Sequence, residues 1–196
     1  MCSKPKRTTV ALWIIAYSLV ASTLLVINKL AVSATGSPAA VTCAQLVVSA
    51  LVPVILQLVG LHVLGRIERK KMITFFLFTC IFAGGLFTNM QALYFTNVGA
   101  VIGAGCSLPL LVNIIEVMFM GKPVPRRKSV ASLLGVISTA LLYIYLDSGV
   151  LIQGRKGVFW LSLWWFLLAL SNIYGKHIAE TTEMSQWERV FYTNTF

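Results

Sequence analysis

The sequence predicts an all-α, polytopic membrane protein of about six transmembrane helices plus the start of a seventh. Three observations predict it. The 196-residue chain is 58% hydrophobic and only 11% charged, whereas a soluble domain carries about 25% charged residues. Its mean hydropathy is +0.84. Its apolar residues also come in runs of about 20, the length that crosses a hydrocarbon core, separated by short polar or basic links.

The elements follow in order. Residues 1–9 are short and basic, with Lys4, Lys6 and Arg7. The apolar run behind them, residues 10–32, is far longer than a signal-peptide core and lacks a convincing cleavage site, so it reads as an uncleaved signal anchor. Thr35-Gly36-Ser37-Pro38 then turns the chain. A second segment spans residues 39–64 and ends in the basic link 66–71. The third spans residues 72–95 and is joined through Thr96-Asn97-Val98 to the fourth, residues 98–121, which the basic link 122–128 ends. The fifth covers residues 129–146 and stops at a turn of Asp147, Ser148 and Gly149. The sixth covers residues 157–179, with Trp160, Trp164 and Trp165 near its start as an interfacial belt. Residues 187–196 open a seventh segment. Ten residues rise about 15 Å as helix, half a hydrocarbon core, so the chain is expected to be the front part of a longer protein, as a fragment or a truncated gene product.

Charge placement orients these segments. Lys4, Lys6, Arg7, Arg66, Arg69, Lys70, Lys71, Lys122, Arg126, Arg127, Lys128, Lys176 and Arg189 fall on one side, 13 of the 16 basic residues. Arg155 and Lys156 fall on the other, and Lys29 lies within segment one. The positive-inside bias therefore places the N-terminus in the cytosol and Gly36, Asn97 and Gly149 on the luminal side. A net charge of +10 carried by such links, without interleaved exposed aromatics, reports topology and excludes nucleic acid as the partner in favour of the lipid bilayer.

Chemistry for catalysis is missing. The four cysteines, Cys2, Cys43, Cys80 and Cys106, form no CxxC pair and have no ligand spacing to His62 or His177, so neither a disulfide nor a metal site is expected. No nucleophile–base pair or Gly-rich phosphate loop is present, which argues against an enzyme and against a bound cofactor.

The fourth segment organises the rest. Gly105, Pro109, Asn113 and Glu116 fall on one side of it at 100° per residue, opposite Val, Ile, Leu and Met. An acid facing lipid is costly, so this stripe is expected to face the bundle interior or a wet cavity. Glu116 reads either as a functional acid or as an end residue reaching for headgroups or Lys122. In segment one, Ser18, Ser22 and Lys29 share a side, with Tyr17, Ala21 and Asn28 on the neighbouring one. Lys29 lies one turn from the non-cytosolic end, where it either snorkels or awaits an anionic ligand. Gly84 and Gly85 read as close-packing positions.

These positions together resemble the nucleotide-sugar transporters of the drug/metabolite transporter superfamily. Tyr17-Ser-Leu-Val-Ala-Ser22 through Asn28-Lys29, then Ser37-Pro38 and Gln45, is similar to that family's opening. So are Ala92-Leu-Tyr-Phe-Thr-Asn-Val-Gly-Ala100 ahead of Pro109-Leu110 and Glu116, and Ser171-Asn-Ile-Tyr-Gly-Lys176. Phe191-Tyr192-Thr193-Asn194 resembles the Phe-Tyr-Asn-Asn motif of GDP-mannose-type transporters, whose amides read the guanine base.

The resemblance implies a ten-helix fold of two inverted five-helix repeats, with substrate at the midplane between them. Residues 10–146 would form the first repeat and residues 157–196 the start of the second. It implies exchange of a cytosolic nucleotide sugar, a GDP-sugar foremost, for a luminal nucleoside monophosphate across a Golgi membrane, and it is compatible with a homodimer. It points to Tyr192, Thr193, Asn194, Tyr174, Asn28, Lys29, Asn113 and Glu116 as the substrate-binding residues.

Two departures keep alternatives open. Thr193 offers one hydroxyl where the motif has an amide. Gly105 and Cys106 stand where many relatives carry Lys or Arg followed by Asn, leaving less positive charge for a diphosphate. An organic-phosphate or other drug/metabolite carrier is the second transporter reading. A truncated membrane protein that transports nothing is the third.

Overall fold

The computed structural model describes residues 7–60, 69–121, 124–146, 154–182 and 185–195. Its elements are α1 (Arg7–Thr35), α2 (Pro38–Leu58), α3 (Arg69–Phe95), α4 (Val98–Met120), α5 (Arg127–Leu146), α6 (Gly154–Thr181) and α7 (Gln186–Thr195). The expected all-α class holds. Helices α1 to α4 and α6 are each long and apolar enough, among the described residues, to cross a membrane. The fifth segment appears as the 20-residue helix α5 and the seventh as the ten-residue helix α7. The second segment appears as the helix α2, which ends at Leu58, and Gly60 takes a left-handed φ of 89°; residues 61–64 lie outside the described residues. Lys122 and Gly149 lie outside the described residues.

Local chemistry sets the helix ends. Ser37 caps α2, its Oγ accepting the Ala40 N–H at 3.4 Å, and Pro38 occupies the first turn, where no N–H is needed. Asn97 caps α4 in the same way through Ala100, at 3.0 Å. Gly121 ends α4 in the left-handed conformation, at φ 62°. At α7 a reciprocal pair forms: Ser185 N–H donates to Glu188 Oε2 at 2.8 Å and Glu188 N–H to Ser185 Oγ at 3.1 Å, the capping box of an S-x-x-E sequence.

The most extensive interface joins α3 and α6, which run antiparallel, and glycine allows their approach. Gly84 lies against Leu167, and a methyl group added at Gly175 would meet the Phe78 ring at 3.0 Å. Two buried clusters flank this seam. One gathers Val32, Met90, Leu93, Val101 and Trp164. The other, nearer the end with the basic links, gathers Phe75, Ile178, Phe191 and Tyr192. Helix α5 packs along α4, and α7 wedges against α2 and α3. Helix α1 leaves Leu12, Trp13, Ile14 and Leu19 exposed, an apolar surface that acyl chains cover. The chain is a multi-pass membrane protein.

The stripe on α4 does not face one way. A methyl group added at Gly105 would meet Trp164 of α6 at 3.8 Å, and Glu116 is buried against the same helix. Pro109 is exposed. Asn113 lines an apolar groove of about 270 Å³ with Ile114, Val130 and Leu133 on the α5 side. The cause is helical drift. Each four-residue step advances about 40°, so Asn113 sits about 80° round from Gly105, while Glu116 returns to within about 20° of it.

Candidate functional site

Helix α7 presents Phe191-Tyr192-Thr193-Asn194 to the bundle. Its four side chains divide by face. Tyr192 is 2% exposed and packs on Phe75, with ring centroids 5.7 Å apart. Its carbonyl accepts the Thr79 hydroxyl at 3.3 Å, which ties α7 to α3. Phe191 joins the same buried cluster. Thr193 and Asn194 line a cavity of about 270 Å³ walled by Phe75, Phe78 and Phe82, with Ile178 from α6 and Arg189 from α7.

A second, larger cavity of about 680 Å³ lies between α1, α2, α3 and α7. Asn28, Gln45, Ser49 and Asn194 line it among apolar residues. Phe82, Val190 and Asn194 border both cavities, so Asn194 stands at their junction. Its Nδ2 donates to Val190 O at 2.7 Å. That bond uses one amide hydrogen and leaves the second, with Oδ1, for another group. Asn28 is buried, and its Oδ1 accepts from Gln45 Nε2 at 2.6 Å. Pro53, inside α2, has no N–H to give the Ser49 carbonyl, which adds an acceptor to a residue of this cavity.

The other expected site residues lie elsewhere. Tyr174 packs on Phe78 behind the aromatic wall, with centroids 6.4 Å apart. Lys29 does not reach for open solvent: its ammonium donates to the carbonyls of Leu93 and Thr96 at the C-terminal end of α3, the latter at 2.8 Å. Cations are stabilised at that end of a helix. Glu116 pairs with Lys176 of α6 at 2.7 Å, with the carboxylate side chain 10% exposed and the lysine 47%. Asn113 donates to Pro109 O at 2.8 Å on the α5 side. The structure thus brings Asn28, Thr193 and Asn194 to connected cavities, and keeps Lys29, Asn113, Glu116, Tyr174 and Tyr192 in packing or ion-pair roles around them.

Phe75, Phe78, Phe82 and Arg189 escaped the sequence reading. The three phenylalanines recur at i, i+3 and i+7, a one-face spacing, but a segment rich in phenylalanine gives no reason to separate lipid-facing rings from cavity-facing ones. Arg189 was counted among the basic residues that set topology.

Comparison with known proteins adds two relatives. The chain is similar to GDP-fucose transporter 1 of Arabidopsis thaliana, 27% identical over 189 residues that cover 96% of the chain and 54% of the relative. It is also similar to GDP-mannose transporter GONST3 of Arabidopsis thaliana, 29% identical over 178 residues covering 91% of the chain and 47% of the relative. The chain spans about half the length of the curated relatives it matches. No family model matches it. No solved structure matches it. Both relatives are nucleotide-sugar transporters by name, the family that the sequence motifs resemble.

Proposed function

We propose that this chain contributes the nucleotide-binding side of a nucleotide-sugar transporter that carries a GDP-sugar. Helices α1 to α5 act as one five-helix repeat, and α6 and α7 open the second. The protein exchanges a cytosolic nucleotide sugar for a luminal nucleoside monophosphate across the Golgi membrane, with its N-terminus in the cytosol. The observation that carries this reading is that Thr193 and Asn194 line one cavity with Phe75, Phe78 and Phe82, and that Asn194 also borders the cavity lined by Asn28 and Gln45. Aromatic walls suit the face of a base, and a half-used amide suits its edge. The names of the two relatives support the same substrate class.

Guanine offers a carbonyl acceptor beside N–H donors. Asn194 meets part of that edge, and Thr193 adds a single hydroxyl where a second amide would do more. An unmade hydrogen bond in a dry site costs about 1–3 kcal/mol, roughly 5- to 150-fold in affinity. Thr193→Asn should therefore sharpen the preference for guanine over uridine nucleotides, and Asn194→Ala should weaken guanine binding. Competition by GMP and UMP against labelled GDP-mannose, on wild type and both variants in lipid nanodiscs, tests it. Unchanged competition after Asn194→Ala removes the base-pocket assignment. Equal displacement by inorganic phosphate or a sugar phosphate would instead support an organic-phosphate carrier, the reading that Thr193 itself favours.

A further inference from the structure

Arg189 is unusual among the basic residues of this chain. It sits in the first turn of α7 and lines the aromatic cavity rather than a solvated link. Its Nη2 donates to Ala179 O at 3.3 Å, while its Nε is buried without an acceptor among the described residues. A guanidinium offers five N–H donors, and leaving a buried one unmade is costly. Among the described residues, the neighbouring acids do not discharge it. Glu188 is turned to Ser185 in the capping box, and Glu116 is engaged by Lys176. The remaining walls include three phenylalanine rings, the polar pair Thr193 and Asn194, and the apolar side chains of Ile178 and Val190. Arg189 lies four residues before Thr193, about 6 Å along the helix axis. One cavity is thus lined by a cation, aromatic faces and a hydrogen-bonding edge, with the cation and the edge separated along one helix by a single turn.

We infer that Arg189 holds the phosphate attached directly to the nucleoside, while Thr193 and Asn194 meet the base. This rests on the nucleotide reading above and names the part of the ligand that the cation takes. That phosphate is common to a nucleotide sugar and to a nucleoside monophosphate, so one residue serves both exchange partners. A guanidinium presents Nε and an Nη side by side and grips phosphate oxygens bidentately, which a lysine in the same place does not. The positive N-terminal end of α7 adds to the attraction.

The test compares GMP with guanosine, two probes that differ by this phosphate alone. The full 196-residue chain is reconstituted in phosphatidylcholine nanodiscs as wild type, Arg189→Gln and Arg189→Lys, and equilibrium binding of each probe is measured. Arg189→Gln should weaken GMP about 10- to 100-fold and leave guanosine unchanged. Arg189→Lys should recover part of the loss, and it carries the test if the glutamine variant fails to fold. Equal loss for both probes, or loss for neither, overturns the inference while the base pocket stands. Wild-type protein that binds neither probe overturns the nucleotide reading and this inference with it. A third outcome, in which Arg189→Gln lowers retention of phosphatidylserine in mixed nanodiscs but not GMP affinity, assigns the arginine to a lipid headgroup and also overturns it.

Discussion

Glu116 and Lys176 meet at 2.7 Å across the α4–α6 interface, 60 residues apart in the chain, with the carboxylate nearly buried and the ammonium half in water. The asymmetry decides which substitution hurts. Lys176→Met removes a cation from a nearly buried carboxylate, and the expected cost is about 1–3 kcal/mol. Glu116→Gln leaves only a half-exposed lysine that water can serve. The double variant Glu116→Gln/Lys176→Met should be more stable than Lys176→Met alone. Thermal unfolding of the four proteins in detergent gives the cycle, and equal losses for the two single variants would show that the pair carries no such asymmetry.

Lys29 offers a second test. Its ammonium ties α1 to the last carbonyls of α3, so Lys29→Met should destabilise the fold by about 1–3 kcal/mol. Labelling of a cysteine placed at Asn97, in the adjoining turn, should become faster. Nucleotide binding should fall no further than stability does. A variant that melts like wild type yet loses nucleotide would return Lys29 to a direct ligand role.

Gly175 and Gly135 form a matched pair. A methyl group at Gly175 would come within 3.0 Å of the Phe78 ring, while one at Gly135 on α5 would meet nothing within 4 Å outside its own helix backbone. Gly175→Ala should cost about 1–3 kcal/mol through overpacking, and Gly135→Ala should be neutral or slightly stabilising, since alanine is the better helix former. Gly175→Ala/Phe78→Leu should recover most of the loss. The melting temperatures decide it, and no difference between the two alanine variants would show that Phe78 yields freely.

The charge asymmetry predicts orientation. In a cysteine-free background, single cysteines at Gly36 and Asn97 should react with a membrane-impermeant maleimide only from the luminal side, and one at Lys128 only from the cytosolic side. The opposite pattern would invert the topology.

Much of this architecture was legible before any coordinates. Helix ends were readable because bilayer thickness sets segment length, and because Ser37-Pro38 and Asn97 cap by short-range chemistry. The pairing of Glu116 with Lys176 was not: it joins residues 60 apart in the chain, and only helix packing can choose α6 as the neighbour, while Lys122 lies outside the described residues. Lys29 hid its role differently: its acceptors are backbone carbonyls, which leave no mark on residue identity. Asn113 and Glu116 share a half-face on a helical wheel, but a shared half-face is not a shared neighbour: Glu116 meets α6 and Asn113 the α5 side. Of the candidate site, the tetrapeptide on α7 was visible as a motif. The phenylalanine wall opposite it was indistinguishable from lipid-facing surface.

Helix α4 is pinned to α6 at two heights. Trp165 Nε1 donates to Ser107 Oγ at 2.9 Å near its middle, and the Glu116–Lys176 pair fastens its far end. Between the pins lies Pro109, which has no N–H for the Gly105 carbonyl and so interrupts the ladder there. Mechanically this is a jointed strut bolted to a beam: about 14 Å of α4 runs alongside about 16 Å of α6 between the two bolts. With both bolts fast, the joint cannot flex without shearing one of them. Release of the ion pair undoes one bolt on the far side of Pro109, where α5 still flanks α4, while the half bearing Gly105 and Ser107 keeps the other.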